Sequence, residues 1–133
     1  MKQERKWRLF LCVSMFILGF GHARAPEEFL NTKLNDAREK GDLVLLHFYA
    51  GWCTMCRAQK PILEKVMVDE PKLRKVITLV VAYDDEKELW KEFGKPSQST
   101  LVVLKGKNEL ARSSRLTHKD EILEFLKSSV PSE

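Results

Sequence analysis

The segment FYAGWCTMCR, at positions 48–57, decides the fold of this 133-residue chain. It places Cys53 and Cys56 one helical turn apart, directly after the apolar run LVLLHFYA at 43–50. A near-continuous apolar run predicts a central β-strand that is covered on both faces. A helix is expected to begin near Cys53. The amides at a helix N-terminus favour an anion, which here would be the thiolate of the first cysteine.

The cysteine pair fits either half of a zinc site or a redox pair. A zinc site needs further ligands, and the sequence holds no second cysteine pair and no histidine-rich cluster among its three cysteines and three histidines. The redox interpretation is therefore favoured, with no cofactor and no metal ion. In it the Cys53 thiolate attacks a disulfide, and Cys56 then attacks Cys53 to release the product. In reverse, the same pair oxidises dithiols.

Much of the excess basic charge lies at the N-terminus. The chain has 23 Lys and Arg residues against 19 Asp and Glu, a net charge of +4, but five of the basic residues and one of the acidic residues lie in positions 1–25. A basic start, an uncharged apolar run at 9–20 and a small-x-small ending at 23–25 are the three parts of a secretory signal peptide. We therefore predict cleavage after Ala25. The apolar run is shorter than the roughly 20 residues of a membrane-spanning helix.

Removal of this segment changes which functions the composition allows. The remaining domain, 26–133, carries no net charge and has no basic stripe interleaved with aromatic residues, so nucleic-acid binding is not predicted. Cys12 leaves with the segment, and only Cys53 and Cys56 remain. Export to the periplasm or out of the cell would place this pair in an oxidising compartment, where it can cycle as a disulfide.

The remaining chain is predicted to alternate helices and strands. Helices are expected at 26–40, 53–69, 84–94 and 117–127, and strands at 43–50, 76–82, 100–105 and 109–115. Pro61 should bend or interrupt the second helix. Asp84 or Asp85 is expected to cap the third helix, and Thr117 with Asp120 resembles a capping box for the last. This order predicts an α/β fold, with helices on both faces of a central mixed sheet.

Together these features resemble the thioredoxin-fold family, a three-layer α/β/α sandwich with about four strands. The resemblance covers essentially all of 26–133 and is carried most specifically by Ala50, Trp52, Cys53, Cys56, Arg57 and Pro61. It implies that Cys53 is the nucleophile and Cys56 the resolving thiol of a redox-active disulfide. It also implies that Trp52 covers the site and that Pro61 bends the helix. The signal peptide favours exported branches, such as the periplasmic domains of Dsb reductases and cytochrome c maturation thioredoxins. Their partners would be protein disulfide or dithiol substrates and a membrane or periplasmic thiol electron donor.

The sequence departs from the family pattern at three places. His47 stands where the family has a buried acid, and it could either move protons to the cysteines or be a buried histidine satisfied by backbone. Ser99 stands where the family has a cis-proline, and its peptide bond is expected to be trans because a non-proline cis bond costs about 2.5–4 kcal/mol. The dipeptide Thr54-Met55 lacks the histidine of strongly oxidising relatives, which favours a reductant or an electron relay.

Two alternatives use the same cysteines without turnover. Cys53 and Cys56, with Met55 and His47, offer soft ligands that could hold Cu(I) in a copper chaperone. The second alternative is a thioredoxin-like binding module in which the disulfide is only structural.

Overall fold

A computed structural model describes residues 26–132, so the predicted signal peptide at 1–25 lies outside the described residues. Four strands and four helices follow the predicted order. The helices are α1 (Pro26–Lys40), α2 (Thr54–Asp69), α3 (Lys87–Glu92) and α4 (Lys119–Ser129). The strands are β1 (Leu43–Tyr49), β2 (Ile77–Ala82), β3 (Thr100–Lys105) and β4 (Asn108–Ser114), and a short 3-10 turn lies at Pro71–Leu73.

The four strands form one mixed sheet in the order β2-β1-β3-β4. β1 pairs parallel with β2 and antiparallel with β3, and β3 pairs antiparallel with β4. The two central strands, β1 and β3, are apolar along nearly their whole length and are buried on both faces. The C-terminal end of β1 lies near the middle of one end of the sheet, so the cysteines that follow β1 lie there as well.

Side chains that alternate along β1 divide the core into two layers. Phe48 packs with Leu34 of α1 and Leu89 of α3 on one face. Leu45 packs with α2 and α4 on the opposite face, through Leu63 and Ile122. Helices therefore cover both faces of the sheet, and the predicted three-layer α/β/α sandwich with a four-stranded mixed sheet is confirmed.

The second helix runs without interruption through Pro61, contrary to one of the two predicted outcomes. Proline removes a single backbone donor, and the carbonyl that loses its partner belongs to Arg57, one turn earlier. Both Arg57 and Pro61 are exposed, so water can satisfy that carbonyl. The helix therefore continues to Asp69, as the sequence predicted for its end.

The predicted N-caps of α3 and α4 are wrong. α3 begins after Glu86, because the amides of Asp85 and Glu86 both bond the carbonyl of Ala82 and form a turn before the helix. α4 begins after His118, which makes no side-chain cap hydrogen bond, so Thr117 lies outside the capping position. α4 also continues to Ser129, two residues beyond the prediction.

The N-terminal boundary of β2 and the end of β4 differ from the prediction by one residue. β4 ends at Ser114 because Arg115 adopts a left-handed backbone with φ of 64°, which a strand cannot contain. Within residues 26–132, no helix combines the length and the apolar character needed to cross a membrane.

Candidate active site

Cys53 is the N-cap residue of α2. Its backbone is extended (φ −84°, ψ 114°), and its sulfur accepts a hydrogen bond from the backbone N–H of Cys56 at 3.2 Å. A serine or aspartate oxygen usually occupies this position, where it satisfies an amide that the helix leaves without a partner. In this protein a sulfur takes that role and accepts an N–H at the helix N-terminus.

Cys56 lies one turn into the helix and is completely buried. Its thiol donates to the carbonyl of Phe48, the penultimate residue of β1, with a sulfur–oxygen distance of 3.7 Å. Burial, followed by the hydrogen bond with Cys53, raises the pKa of the Cys56 thiol to about 11. Both cysteines are free thiols. The pair is therefore asymmetric, with an outer sulfur that accepts an amide hydrogen bond and an inner thiol that retains its proton at neutral pH.

Trp52 forms the outer lip of the site. Its side chain is 60% exposed, and its indole N–H donates to the carboxylate of Asp84 at 2.8 Å. Its ring meets Tyr83 edge-on at 6.2 Å between centroids, and Tyr83 meets Trp90 in the same way at 6.4 Å. The carboxylate expected to cap α3 thus holds the tryptophan beside the cysteines.

His47 is buried behind the cysteines on β1 and is linked to a side chain of α2. Its Nε2 lies 3.0 Å from Oε1 of Gln59, and Nε2 of Gln59 donates to the carbonyl of Ser99 at 3.1 Å. A carbonyl can only accept, so the Gln59 amide has one possible orientation, and Nε2 of His47 must carry the hydrogen. Burial lowers the pKa of His47 to about 4, although the Gln59 hydrogen bond acts in the opposite direction. The imidazole is therefore neutral at physiological pH.

Ser99 lies in the loop before β3, completely buried and with φ of 65°. Its peptide bond is trans, as predicted. Its N–H donates to the carbonyl of Phe48 at 2.9 Å, and its own carbonyl accepts from Gln59 and from the N–H of Arg115. Pro96, the proline of the same loop, has a different contact: its carbonyl accepts the indole N–H of Trp90. The loop is therefore attached to β1, α2 and the chain after β4 through one residue.

The whole chain was also compared with known proteins. A family model described as Thioredoxin matches residues 24–128. The chain belongs to the thioredoxin family. Protein disulfide-isomerase TMX3 of Mus musculus is 31% identical over 128 residues, which cover 92% of this chain and 27% of that protein. The thiol:disulfide interchange protein DsbD of Pseudomonas fluorescens is 29% identical over 115 residues, which cover 80% of this chain and 19% of that protein.

A solved structure is also similar. Trxlp from Edwardsiella tarda EIB202 superposes with a TM-score of 0.68 at 28% identity, over 72% of this chain and 92% of that one. The chain spans less than a third of the length of the two curated relatives named above. The resemblance to the thioredoxin-fold family that the sequence predicted is confirmed.

Most of the residues predicted for this thioredoxin-family site lie together, but Pro61 does not. Cys53, Cys56 and Ser99 meet around the end of β1, and His47 reaches the same place through Gln59. Pro61 lies on the exposed side of α2, more than one turn beyond the cysteines.

The sequence pattern did not predict the contacts of Gln59 or the hydrogen bond between Trp52 and Asp84. Gln59 shares the buried face of α2 with Cys56, Leu63 and Val66, and a glutamine on an otherwise apolar helix face was a signal that could have identified it. The Trp52–Asp84 hydrogen bond joins residues 32 positions apart, and no sequence spacing indicates it.

The donors for a metal ion are few in this thioredoxin-family site. Among residues 26–132, no group of three or more His, Cys, Asp and Glu side chains is arranged to hold a metal ion. Met55 packs half-buried against Cys53 and Cys56, whereas Nε2 of His47 is bonded to Gln59. The copper alternative therefore has the two cysteine sulfurs and one thioether beside one another, and His47 could contribute only through Nδ1.

Proposed function

We propose that this thioredoxin-family protein is an exported thiol–disulfide oxidoreductase, which exchanges a dithiol for a disulfide with protein substrates through Cys53 and Cys56. The observation that carries the proposal is the position of the Cys53 sulfur. It caps α2 and accepts the N–H of Cys56, while the Cys56 thiol is buried one turn below it. This arrangement supplies one thiol that can act as nucleophile and a second within reach of the first.

The reaction begins when the Cys53 thiolate attacks a disulfide of the substrate. A bond forms between Cys53 and one substrate sulfur, and the substrate disulfide breaks to release the other sulfur as a thiolate, which takes up a proton. Cys56 then loses its proton, and its thiolate attacks the sulfur of Cys53. The Cys53–Cys56 disulfide forms, the second substrate thiol leaves, and two electrons have passed from the protein to the substrate.

Deprotonation of Cys56 is the demanding step of this sequence, because burial raises its pKa to about 11. His47 is neutral and has its hydrogen on Nε2, so its basic nitrogen is Nδ1. His47 also lines a cavity of about 160 Å³ between α2 and β2, beside Lys60, Glu64 and Thr78. This cavity offers water a path to the imidazole, and it supports a role of His47 in proton exchange with solvent.

A reductant or an electron relay is the favoured direction. Neither Thr54 nor Met55 can stabilise the Cys53 thiolate by positive charge, as the histidine that strongly oxidising relatives often carry there does. DsbD is named as a thiol:disulfide interchange protein. The similarity to it supports a thiol protein, in the membrane or the periplasm, as the electron donor that reduces the Cys53–Cys56 disulfide. Substrates would be proteins that present a disulfide to the exposed lip at Trp52.

Reduction of insulin by dithiothreitol, followed by turbidity, tests the activity. The protein should accelerate the reaction, and Cys53→Ser should abolish the acceleration. Cys12→Ser, assayed in the uncleaved whole chain, is a matched control, because Cys12 lies in the predicted signal peptide and its loss should change nothing. Equal acceleration by Cys53→Ser would contradict the proposal.

Export is tested separately by the intact mass of the protein recovered from cells that express the whole chain. Cleavage after Ala25 predicts a product that begins at Pro26 and lies in the periplasm or the medium. A product that retains residues 1–25 and remains in the cytoplasm would overturn the proposed location and leave the chemistry untouched.

A further inference from the structure

Two buried donors meet at one oxygen beside the cysteines. The carbonyl of Phe48 accepts the N–H of Ser99 at 2.9 Å and the thiol of Cys56 at 3.7 Å. Both Ser99 and Cys56 are completely buried, so water cannot compete for either group. When Cys56 loses its proton it no longer has a hydrogen to share with this oxygen, and its charged sulfur becomes an acceptor next to the Ser99 N–H.

The hydroxyl of Ser99 has no partner. Its Oγ is among the few buried side-chain polar atoms of residues 26–132 that make no hydrogen bond. A buried hydroxyl without a partner destabilises a folded protein and requires an explanation. The left-handed backbone of Ser99, with φ of 65°, makes the choice of serine more notable, because glycine would adopt this conformation without strain.

The remaining contacts hold Ser99 firmly in this position. Its carbonyl is bonded by Nε2 of Gln59 at 3.1 Å and by the N–H of Arg115 at 3.4 Å. These bonds fix the backbone of Ser99, and its N–H faces the carbonyl of Phe48 near the end of β1. The backbone of Ser99 also lowers the pKa of Cys56, against the larger opposing effect of burial.

We propose that Ser99 stabilises the Cys56 thiolate in the resolving step, by donating its N–H and its hydroxyl hydrogen to the sulfur once the thiol proton has left. The inference rests on the proposed oxidoreductase function. Proline, which the family resemblance implies for this position, has neither donor. In this step Cys56 loses its proton and the Cys53–Cys56 bond forms. The bond between Cys53 and the substrate breaks with its electron pair on the substrate sulfur, and the uptake of a proton by that sulfur balances the proton that Cys56 lost.

A bis-nitrobenzoate disulfide separates the two thiol steps, because each releases one coloured nitrothiolate. The first phase, which depends on reagent concentration, is the attack by Cys53. The second phase, which does not, is the attack of Cys56 on the mixed disulfide. Stopped-flow absorbance from pH 6 to pH 12 gives the apparent pKa of each phase.

Ser99→Ala removes the hydroxyl and keeps the N–H. The second phase should slow about tenfold at neutral pH, as expected for loss of a hydrogen bond to a charged group, and its apparent pKa should rise. The first phase should not change. Because the hydroxyl has no partner in the resting protein, thermal unfolding of this variant should occur at the same temperature as in the wild type or higher. The control, Ser97→Ala, removes a hydroxyl of the same loop whose hydrogen-bond partner is Thr100, and it should leave both phases unchanged.

Ser99→Pro removes both donors and should slow the second phase further. If it fails to fold because of the positive φ, Ser99→Ala alone decides. A second phase with unchanged rate and pH profile in Ser99→Ala would overturn the inference, and so would equal slowing of both phases. Failure of the proposed function is a different result, in which the wild-type protein shows no second phase at all.

Discussion

The two sides of the site depend on different kinds of contact. The outer side is formed by Trp52 and Cys53, and the inner side by Cys56, His47, Gln59 and Ser99. On the outer side the Trp52–Asp84 hydrogen bond is exposed, although the Cys53 sulfur beside it is buried. The inner hydrogen bonds, from His47 to Gln59 and from Gln59 to Ser99, are buried. A buried polar group that loses its partner costs far more than an exposed one. The outer side can therefore adapt to a substrate, while the inner side must remain intact to hold and release one proton.

The largest expected effect comes from removing the inner thiol alone. Cys56→Ser should lose insulin-reducing turnover by about a thousandfold or more, because the resolving step has no nucleophile. Cys53 should still attack, so substrate should accumulate as a mixed disulfide, visible as added mass under non-reducing conditions. Cys53→Ser should form no adduct. Turnover by Cys56→Ser at the wild-type rate would show that the two sides do not divide the chemistry in this way.

Acid should destabilise the inner side through His47. Its pKa is about 4 in the folded protein and 6.5 unperturbed, so between these values the unfolded chain binds a proton that the folded protein does not. The stabilisation is complete above pH 6.5 and is lost as the pH falls toward 4, by up to about 3 kcal/mol. Urea unfolding of His47→Leu from pH 7 to pH 4 should show a shallower loss than the wild type. His118→Leu, which changes an exposed histidine, should keep the wild-type slope.

Removal of Gln59 should break the inner hydrogen bonds at their centre. Gln59→Leu leaves the buried N–H of His47 without an acceptor and takes one donor away from the Ser99 carbonyl. These two losses should lower the free energy of unfolding by about 2 kcal/mol. Urea unfolding at pH 7 measures the change. Gln98→Leu, beside Ser99 and outside these hydrogen bonds, should cost less than half as much. Similar losses for the two variants would show that the inner network carries no special stability.

The smallest effect is expected on the outer side. Asp84→Ala removes the acceptor of the Trp52 indole but should lower the free energy of unfolding by only about 1 kcal/mol or less, because the bond is exposed. Trp52 should become more mobile, which tryptophan fluorescence anisotropy can detect. Asp85→Ala removes the neighbouring exposed carboxylate and should leave the anisotropy unchanged. A loss for Asp84→Ala as large as that for Gln59→Leu would erase the difference between the two sides.

Most of the fold could be predicted because its signals are local. The apolar run of β1 and the cysteines that follow it define a buried strand and a helix start without knowledge of any distant residue. The strands predicted at 100–105 and 109–115 likewise agree with β3 and β4 to within one residue. The wrong caps have a different origin. Asp84 was available to cap α3, but tertiary structure brings Trp52 to it, and the helix begins three residues later.

The candidate site was predictable only in part, for the same reason. The cysteines are recognisable from their spacing, whereas the polar contacts behind them join three separate elements. His47 stands where the family resemblance implies a buried acid, but its partner is a side chain of α2 and not the backbone. Nothing in the sequence around Ser99 indicates a buried hydroxyl without a partner, because that depends on how the loop packs.

The sulfur cap of α2 links folding to electron transfer. Reduced and oxidised protein, each folded or unfolded, form a closed thermodynamic cycle. The difference in unfolding free energy between the two redox forms therefore equals the difference in reduction potential between the folded and the unfolded chain, with about 1.4 kcal/mol corresponding to about 30 mV. The Cys53 cap is seen here in the dithiol form. If it is weaker in the disulfide form, it stabilises the dithiol, and weakening it would make the folded protein more reducing. Two unfolding curves, one for each redox form, would thus report how far folding tunes the cysteine pair, with no redox partner present.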